Sequence, residues 1–362
     1  MRRTAALIVG GGPAGSALAI RLARARRVPL LLERQRDIGD ALCGGFLSWR
    51  TLAALEPLGI APDRLNAARV TQLRLIAGGR TVEAPLPAPA LGVSRHRLDT
   101  LLLDAAEAAG AAVERGVAVR EIDERSVRTA DGATITGEAL FLASGKHDIR
   151  GAARPEEARG EDPTLGLRLR LPPSRALGAL AAGRIELHLF PRGYAGLVLQ
   201  EDGSANLCLA VHRSRLQAAG TPAALLADLG CESPQLGERL AFGAADLPID
   251  AIANVPYGWR ARHGTPGVFR LGDQAGVIPS LAGEGLGIAL ASAAGAAAAY
   301  LSRGPDAGAA WQGQFARRLA RPMKLAGIVR QAAESAHPAA LVALARAPFL
   351  IQLVARLTRI RQ

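Results

Sequence analysis

Ala5-Ala6-Leu7-Ile8-Val9-Gly10-Gly11-Gly12-Pro13-Ala14-Gly15 is the stretch on which the reading of this 362-residue chain turns. Five apolar residues without alternation read as a short strand buried on both faces. The glycines follow at once, and Ala17 to Ala25 has helical composition. Val28 to Leu32 is a second apolar run, ending at Glu33. Together these make a β-α-β unit with glycines at its first turn. Such a turn needs Gly10 for its tight backbone and Gly12 so that a pyrophosphate approaches without a Cβ in the way. Gly15 lets the helix pack on the strand, and Pro13 and Ala14 complete the turn. The N-terminus of the helix adds free N–H groups and partial positive charge. Glu33 falls where the ribose hydroxyls of an adenosine would lie, and its charge disfavours a 2′-phosphate. Arg34 follows it among the candidate cofactor residues. On these residues alone NAD and FAD both stay open.

A second motif separates them. Leu271-Gly272-Asp273-Gln274-Ala275-Gly276 is followed by Pro279 and by Gly283-Glu284-Gly285-Leu286-Gly287, which opens a long helix over Gly285 to Leu301. This pattern resembles the second flavin motif of the glutathione-reductase-like flavoproteins, and within them the single-component monooxygenase and geranylgeranyl reductase branch. The resemblance implies FAD. It places Asp273 and Gly272 at the ribityl chain, and Pro279, Gly283, Gly285, Leu286 and Gly287 against the flavin ring. In Val93-Ser94-Arg95-His96-Arg97-Leu98-Asp99 it implies that Arg95 approaches the flavin. Cys43-Gly44-Gly45-Phe46-Leu47-Ser48 resembles the cysteine-and-glycine segment of geranylgeranyl reductases, which makes Cys43 a candidate catalytic residue and Gly45 and Phe46 pocket residues. An isolated cysteine is also commonly a small buried hydrophobe. Pro191-Arg192-Gly193-Tyr194-Ala195-Gly196-Leu197 resembles the family's substrate-lobe segment and adds Tyr194 and Gly196 to the pocket. Gly196 stands where relatives often carry an aromatic, which leaves room. Phe141 to Lys146 matches the family's strand-then-glycine near the adenosine.

The expected architecture is α/β: a discontinuous Rossmann-like FAD lobe (residues 1–69, 92–160 and 256–302), a β-sheet substrate lobe (70–91 and 161–255) and a C-terminal helical region (303–362). Val70 to Pro85 reads as a hairpin about Gly78-Gly79, Arg97 to Ala109 as a helix ended by Gly110, and Val113 to Val119, Ser126 to Ile135 with Asp131-Gly132 as a turn, and Ala139 to Ala143 as strands. Leu165 to Leu171, Ile185 to Phe190, Tyr194 to Gln200 and Ala205 to Val211 read as successive antiparallel strands.

The resemblance implies a monooxygenase that uses NAD(P)H and oxygen on a hydrophobic, aromatic or polyketide-like molecule. Its rival is a flavin-dependent reductase of isoprenoid carbon–carbon double bonds, which Cys43 favours. A non-catalytic flavin-bound binding or assembly protein is the reading from another class. No second G-x-G-x-x-G follows the first, so NAD(P)H is expected to dock transiently. The net charge of +12 comes almost wholly from scattered arginines, with Lys146 and Lys324 the two lysines. No aromatic-interleaved basic stripe accompanies it, so specific nucleic-acid binding is not expected. Three cysteines make no disulfide framework, and the six histidines show no metal-ligand spacing. A cytoplasmic location is the expectation. The C-terminal pattern Leu341, Leu344, Phe349, Leu350, Leu353, Leu357 and Ile360, with Arg346, Arg356, Arg359 and Arg361 between, reads as helices with one apolar and one cationic face. They pack on the FAD lobe or meet a membrane surface.

Overall fold

The computed structural model describes residues 2–243, 247–344, 352 and 356–360. β1 (Arg2–Val9) runs through the glycine turn into the helix Pro13–Arg24, which returns the chain to β2 (Leu30–Glu33). The two strands are parallel, with Leu7, Ile8 and Val9 opposite Leu30, Leu31 and Leu32. A two-residue β3 (Phe46–Leu47) precedes the hairpin of β4 (Val70–Ala77) and β5 (Arg80–Gly92). After the helix Arg95–Ala108 come β6 (Ala112–Arg115), β7 (Val119–Asp123), β8 (Ser126–Thr129) and β9 (Thr134–Leu142). Then follow β10 (Thr164–Leu171), β11 (Arg184–Phe190), β12 (Gly193–Leu199), β13 (Ala205–His212), β14 (Asp250–Val255) and β15 (Val268–Arg270). The helices Gly285–Arg303, Ala307–Ala333 and Pro338–Leu344 close the described chain.

These strands form two sheets. The first has seven strands in the order β6-β2-β1-β9-β8-β7, with β15 added beside β9. The second has eight, in the order β14-β10-β13-β12-β11-β4-β5-β3. Three expectations change. Val113 to Val119 is not one strand, because Gly116 takes φ +79 and turns the chain between β6 and β7. Thr134 to Leu142 is one continuous strand rather than two. The strands of the second sheet are not laid down in simple succession: β11 lies parallel to β4, and β10 pairs with β13 and β14. Phe46 and Leu47 pair with Gly92 and Leu91, so the end of the Cys43 segment joins the edge of the second sheet.

The late parts of the chain are bound into the first sheet by aromatic packing. Phe141 of β9 stacks on Phe269 of β15 at 4.7 Å, and Tyr300 meets Phe141 edge-on at 5.4 Å. Trp311 touches Phe269 at 5.7 Å and stacks on Phe315 at 5.3 Å. The Gly285–Arg303 helix is long and apolar enough to cross a membrane by length and composition, with a mean hydropathy of 1.5, yet 61% of that stretch is buried inside the molecule. An Ala-rich helix apolar all round suits a core position. It packs against the Pro13–Arg24 and Ala307–Ala333 helices.

Phe269 is fully buried at the centre of this cluster. Phe269→Ala is expected to lower the free energy of unfolding by about 3–5 kcal/mol, measured by urea denaturation, because the cavity it leaves cannot close against a sheet on one side and helices on the other.

Candidate functional site

The glycines of the first turn do different work. A Cβ at Gly15 would stand 1.9 Å from the Gly10 carbonyl oxygen, and Gly10 itself has φ +104 with the Ala143 backbone oxygen 2.5 Å from its would-be Cβ. Both are demanded by the protein's own packing. Gly12 is not: it has φ −69, and a Cβ there would meet only the Arg95 Nη2, at 3.5 Å. Its missing side chain is explained by something that lies against it. A pyrophosphate fits, because Gly12 caps the Pro13–Arg24 helix without a side-chain acceptor and the first turn carries no acidic residue. Arg95 faces this turn from the start of its own helix. Its guanidinium grips Asp99 with two bonds, of 2.8 and 2.6 Å. Burial opposes its charge, but the Asp99 carboxylate more than offsets that, so Arg95 holds its proton above the ordinary range.

Glu33 is 8% exposed and its carboxylate is already engaged, accepting the Gly11 N–H at 2.7 Å and the Gln35 N–H at 2.8 Å. It shapes the turn as well as standing beside the place of a ribose, where each oxygen keeps a further lone pair. Arg34 points elsewhere, to the His147 ring at 2.9 Å, in an exposed pair.

The second motif folds back against the first. Gly272, at φ +54, donates its N–H to Ser292 Oγ at 2.9 Å. Gln274 donates to the Gly145 and His147 carbonyls at 2.9 and 3.0 Å, which pins the loop after β9 to this motif. Lys146 thereby reaches Asp273 Oδ2 at 3.1 Å. The carboxylate draws the Lys146 pKa upward, so the ammonium is held charged. The loop that the resemblance assigned to the adenosine side therefore brings its lysine to the expected ribityl aspartate. Pro279 is buried and leads through Gly283, at φ +61, into the Gly285–Arg303 helix, whose first turn, with Leu286 and Gly287, has no side-chain cap. Phe46 lies against Gly283, its Cδ1 3.1 Å from where a Cβ would be.

Facing these motifs is the second sheet. Leu187, Gly196, Cys208 and Arg168 lie opposite one another on adjacent strands and so share one face. The Cys43 segment is fastened over this row. The Cys43 carbonyl accepts Asn206 Nδ2 at 2.9 Å and the Cys208 thiol at 3.0 Å, and Gly45 accepts the Val93 N–H at 2.7 Å. Burial pushes the Cys208 thiol up to about 12. The Leu187 Cδ2 lies 3.5 Å from a Cβ built at Gly196, so the space left there is bounded by leucine. Tyr194 sits one step along on the same face, buried, and its hydroxyl meets Ser280 Oγ.

Sequence reasoning missed several residues here. Asp40 is one: it accepts the Arg95 and His96 N–H groups at 2.8 and 3.2 Å and takes Arg168 and Arg170 at 2.9 and 3.1 Å. Ser280 and Tyr257, bonded at 2.6 Å, are two more. No local pattern marks them, since their partners lie far away in the chain. At the C-terminus, Arg356 and Leu357 are exposed, but Arg359 is not on a cationic outer face. Its guanidinium is buried on Glu284 at 2.8 Å and on the Ala282 carbonyl, 5.2 Å above the Trp49 ring. A fully buried carboxylate at the start of the Gly285–Arg303 helix needs a cation, and Arg359 supplies it. Arg346, Phe349, Leu350, Leu353 and Arg361 lie outside the described residues. Among the described residues, no three His, Cys, Asp or Glu side chains are grouped to hold a metal ion, and Cys43, Cys208 and Cys231 are free thiols.

Residues 3–150 match the FAD binding domain family. The chain is 28% identical over 348 residues to a menaquinone reductase of Mycolicibacterium smegmatis, a match covering 90% of this chain and 83% of that one. It is 38% identical over 108 residues to a geranylgeranyl diphosphate reductase of Rhodobacter capsulatus, covering 29% of this chain and 26% of the other. Among solved structures, a geranylgeranyl bacteriochlorophyll reductase-like protein of Thermoplasma acidophilum superposes with a TM-score of 0.73 at 20% identity, covering 100% of this chain and 94% of its own. PqsL of Pseudomonas aeruginosa, in complex with 2-aminobenzoylacetate, gives 0.72 at 18% identity, covering 94% and 99%. At such identities the structural likenesses establish the fold.

The contrast between the glycines gives a two-variant test. Gly12→Val is expected to abolish FAD retention, read by absorbance after gel filtration, while leaving the thermal unfolding of the FAD-free protein within a few degrees of the parent. Gly15→Val is expected to impair folding itself, because its side chain would enter the Gly10 backbone.

Proposed function

We propose that this chain, an FAD-dependent oxidoreductase by its domain family, its fold and its paired flavin motifs, is a reductase that adds hydrogen across a carbon–carbon double bond of an apolar, isoprenoid-bearing molecule. The observation that carries this reading is the seating of the Cys43 loop on the face of the second sheet that holds Leu187, Gly196 and Cys208, which sets a thiol beside an apolar floor. Lys146 is held charged by Asp273, burial pushes Cys208 up to about 12, and burial raises Tyr194 well above its ordinary value. Raised pKa values make Cys208 and Tyr194 weaker acids, so the proton donor is sought elsewhere on the same face. Saturating a double bond needs a proton for one carbon beside a hydride for the other. When bound and reduced, the flavin would supply the hydride.

The chain's own task is then to hold the substrate, exclude water and deliver the proton. Cys43 is the candidate donor, on a loop whose main chain is tied to Asn206 and Cys208. Leu187 and Gly196 offer an apolar floor beside it. The names of the menaquinone and geranylgeranyl diphosphate relatives point the same way. Oxygen transfer is the reading that the sequence resemblance placed first. Its support is the likeness to PqsL, which is one of fold. NAD(P)H, docking transiently, is the proposed electron source. The exposed Arg356 and Leu357 keep a membrane-surface approach within the proposal, as the route by which a greasy substrate arrives.

The test is a single anaerobic turnover of the reduced, FAD-loaded protein with menaquinone-2, read by mass spectrometry. The expected product gains two hydrogens. Cys43→Ala is expected to slow that step by about 100-fold without loss of FAD, and Cys43→Ser to retain part of the rate. A product that gains an oxygen atom, formed only in air, would replace the reductase reading with the monooxygenase. Absence of turnover with and without air would favour a non-catalytic role.

A further inference from the structure

Two depressions run along the Gly285–Arg303 helix, away from the flavin motifs. The first, of about 320 Å³, has Arg21, Arg24, Leu58, Ala297, Ala298 and Leu301 in its lining. The second, of about 300 Å³, is bounded by Arg21, Leu290, Ala291, Gly295 and Arg318. Arg21 and Ala294 belong to both, so the two form one trough with Arg21 at its middle. The helices that flank Arg21 and Gly295 each begin at a flavin motif. Arg21 lies nine residues beyond Gly12, and Gly295 ten beyond Gly285, which sets the trough about 13–15 Å from either motif.

The walls of this trough are hydrocarbon and its charges are of one sign. Ala291, Ala294, Ala298 and Leu301 recur at steps of three and four, so they line up on one face of their helix. The cations facing them differ from those elsewhere in the molecule. The five buried arginines of the described chain, Arg154, Arg168, Arg215, Arg239 and Arg359, each meet a carboxylate. Arg21 and Arg318 meet none among the described residues, and the Arg21 Nε is buried without a hydrogen-bond partner. Burial and the charge of Arg24 lower the Arg21 pKa, and burial lowers that of Arg318, with no carboxylate acting against either. Arg24 is committed to main chain, donating to the Pro57 carbonyl and, at 3.1 Å, to the Leu58 carbonyl. An anion between Arg21 and Arg318 would answer both guanidinium groups.

We propose that this trough is a binding site for a single-chain carboxylate of the fatty-acid class. The carboxylate lies between Arg21 and Arg318, across Gly295, and the chain runs over Ala294 and Ala298 to Leu58 and Leu301. A guanidinium fork matches a carboxylate in shape as well as in charge. Each depression is at the lower end of small-ligand sites, about 300–1,000 Å³, which suits one acyl chain better than a two-chain lipid. The site shares no residue with the glycine motifs or the Cys43 segment and does not rest on the reductase reading.

Isothermal titration calorimetry on the oxidised, FAD-loaded full chain tests this with decanoate, decanol and hexanoate. Decanoate is expected to bind at least about ten-fold more tightly than decanol, which keeps the chain and lacks the charge. The same margin is expected over hexanoate, which keeps the charge and loses four methylenes. Arg21→Gln and Arg318→Gln are each expected to weaken decanoate about ten-fold, the order of one charge-assisted hydrogen bond, with FAD absorbance and thermal unfolding as in the parent. Ala298→Trp, at an exposed helix position, is expected to fill the trough and weaken decanoate at least about five-fold. The proposal is overturned if decanol and decanoate bind alike or if either glutamine variant binds decanoate as the parent does. It is also overturned if Ala298→Trp changes nothing, which would seat the chain elsewhere, or if decanoate releases FAD, which would put it at the pyrophosphate turn. Phosphatidylglycerol vesicles that sediment with the parent but not with the Arg21→Gln, Arg318→Gln double variant, with no decanoate binding, would replace the fatty-acid site with a membrane contact.

Discussion

One carboxylate joins the two halves of this molecule. Asp40 takes backbone N–H groups at the start of the Arg95–Ala108 helix on one oxygen and the guanidinium groups of Arg168 and Arg170, on β10, on the other. The first set belongs to the nucleotide-binding lobe and the second to the facing sheet. Its side chain is 15% exposed, so these bonds work in poor competition with water. Charge-assisted bonds of this kind contribute about 1.5–3 kcal/mol each. The segment from Asp40 to Phe46 runs from this clamp to the pairing of β3 with β5, and Cys43 is held in between.

That clamp also explains why the site can be both protic and apolar. Loops usually lie on the surface because their backbone groups need water. Here the Cys43 and Gly45 carbonyls are answered by Asn206, Cys208 and Val93, so the loop lies on the sheet with Gly45 buried and Cys43 half-buried while Ala41 and Gly44 stay exposed. The charged groups near it are paired in the same economical way, Arg95 with Asp99 and Lys146 with Asp273.

The C-terminal segment illustrates how far a pattern can be read. Leucines and arginines at mixed three- and four-residue steps suggest an amphipathic helix with its cations outward. Arg356 obeys that reading and is exposed, whereas Arg359 and Ile360 turn inward to Glu284. Periodicity gives a residue's direction around a helix axis, but a buried carboxylate far away in sequence decides which cation leaves the water. The cost of leaving Glu284 unpaired exceeds the cost of burying one arginine beside it. Burial raises the Glu284 pKa even so, with Arg359 acting against that rise.

By itself the sequence determined the β-α-β entry, the two glycine motifs and the hairpin about Gly78-Gly79, while the kind of cofactor came from the family resemblance of the second motif. These are local matters: a tight turn, a positive φ or a close approach of backbone to ligand restricts the residue at that very position, so the restriction is written there. It could also say that Gly12 is bare, and it took the structure to separate Gly12, which nothing in the protein crowds, from Gly15, which the Gly10 carbonyl does. The tertiary structure alone decided that β11 runs parallel to β4, that Lys146 reaches Asp273, that Asp40 clamps two arginines of β10, and that Tyr194 and Tyr257 converge on Ser280. Each of these brings together groups at least 23 residues apart in the chain. Such pairings are set by which surfaces can be buried together and which polar groups must then be satisfied, and neither quantity exists until the chain has folded.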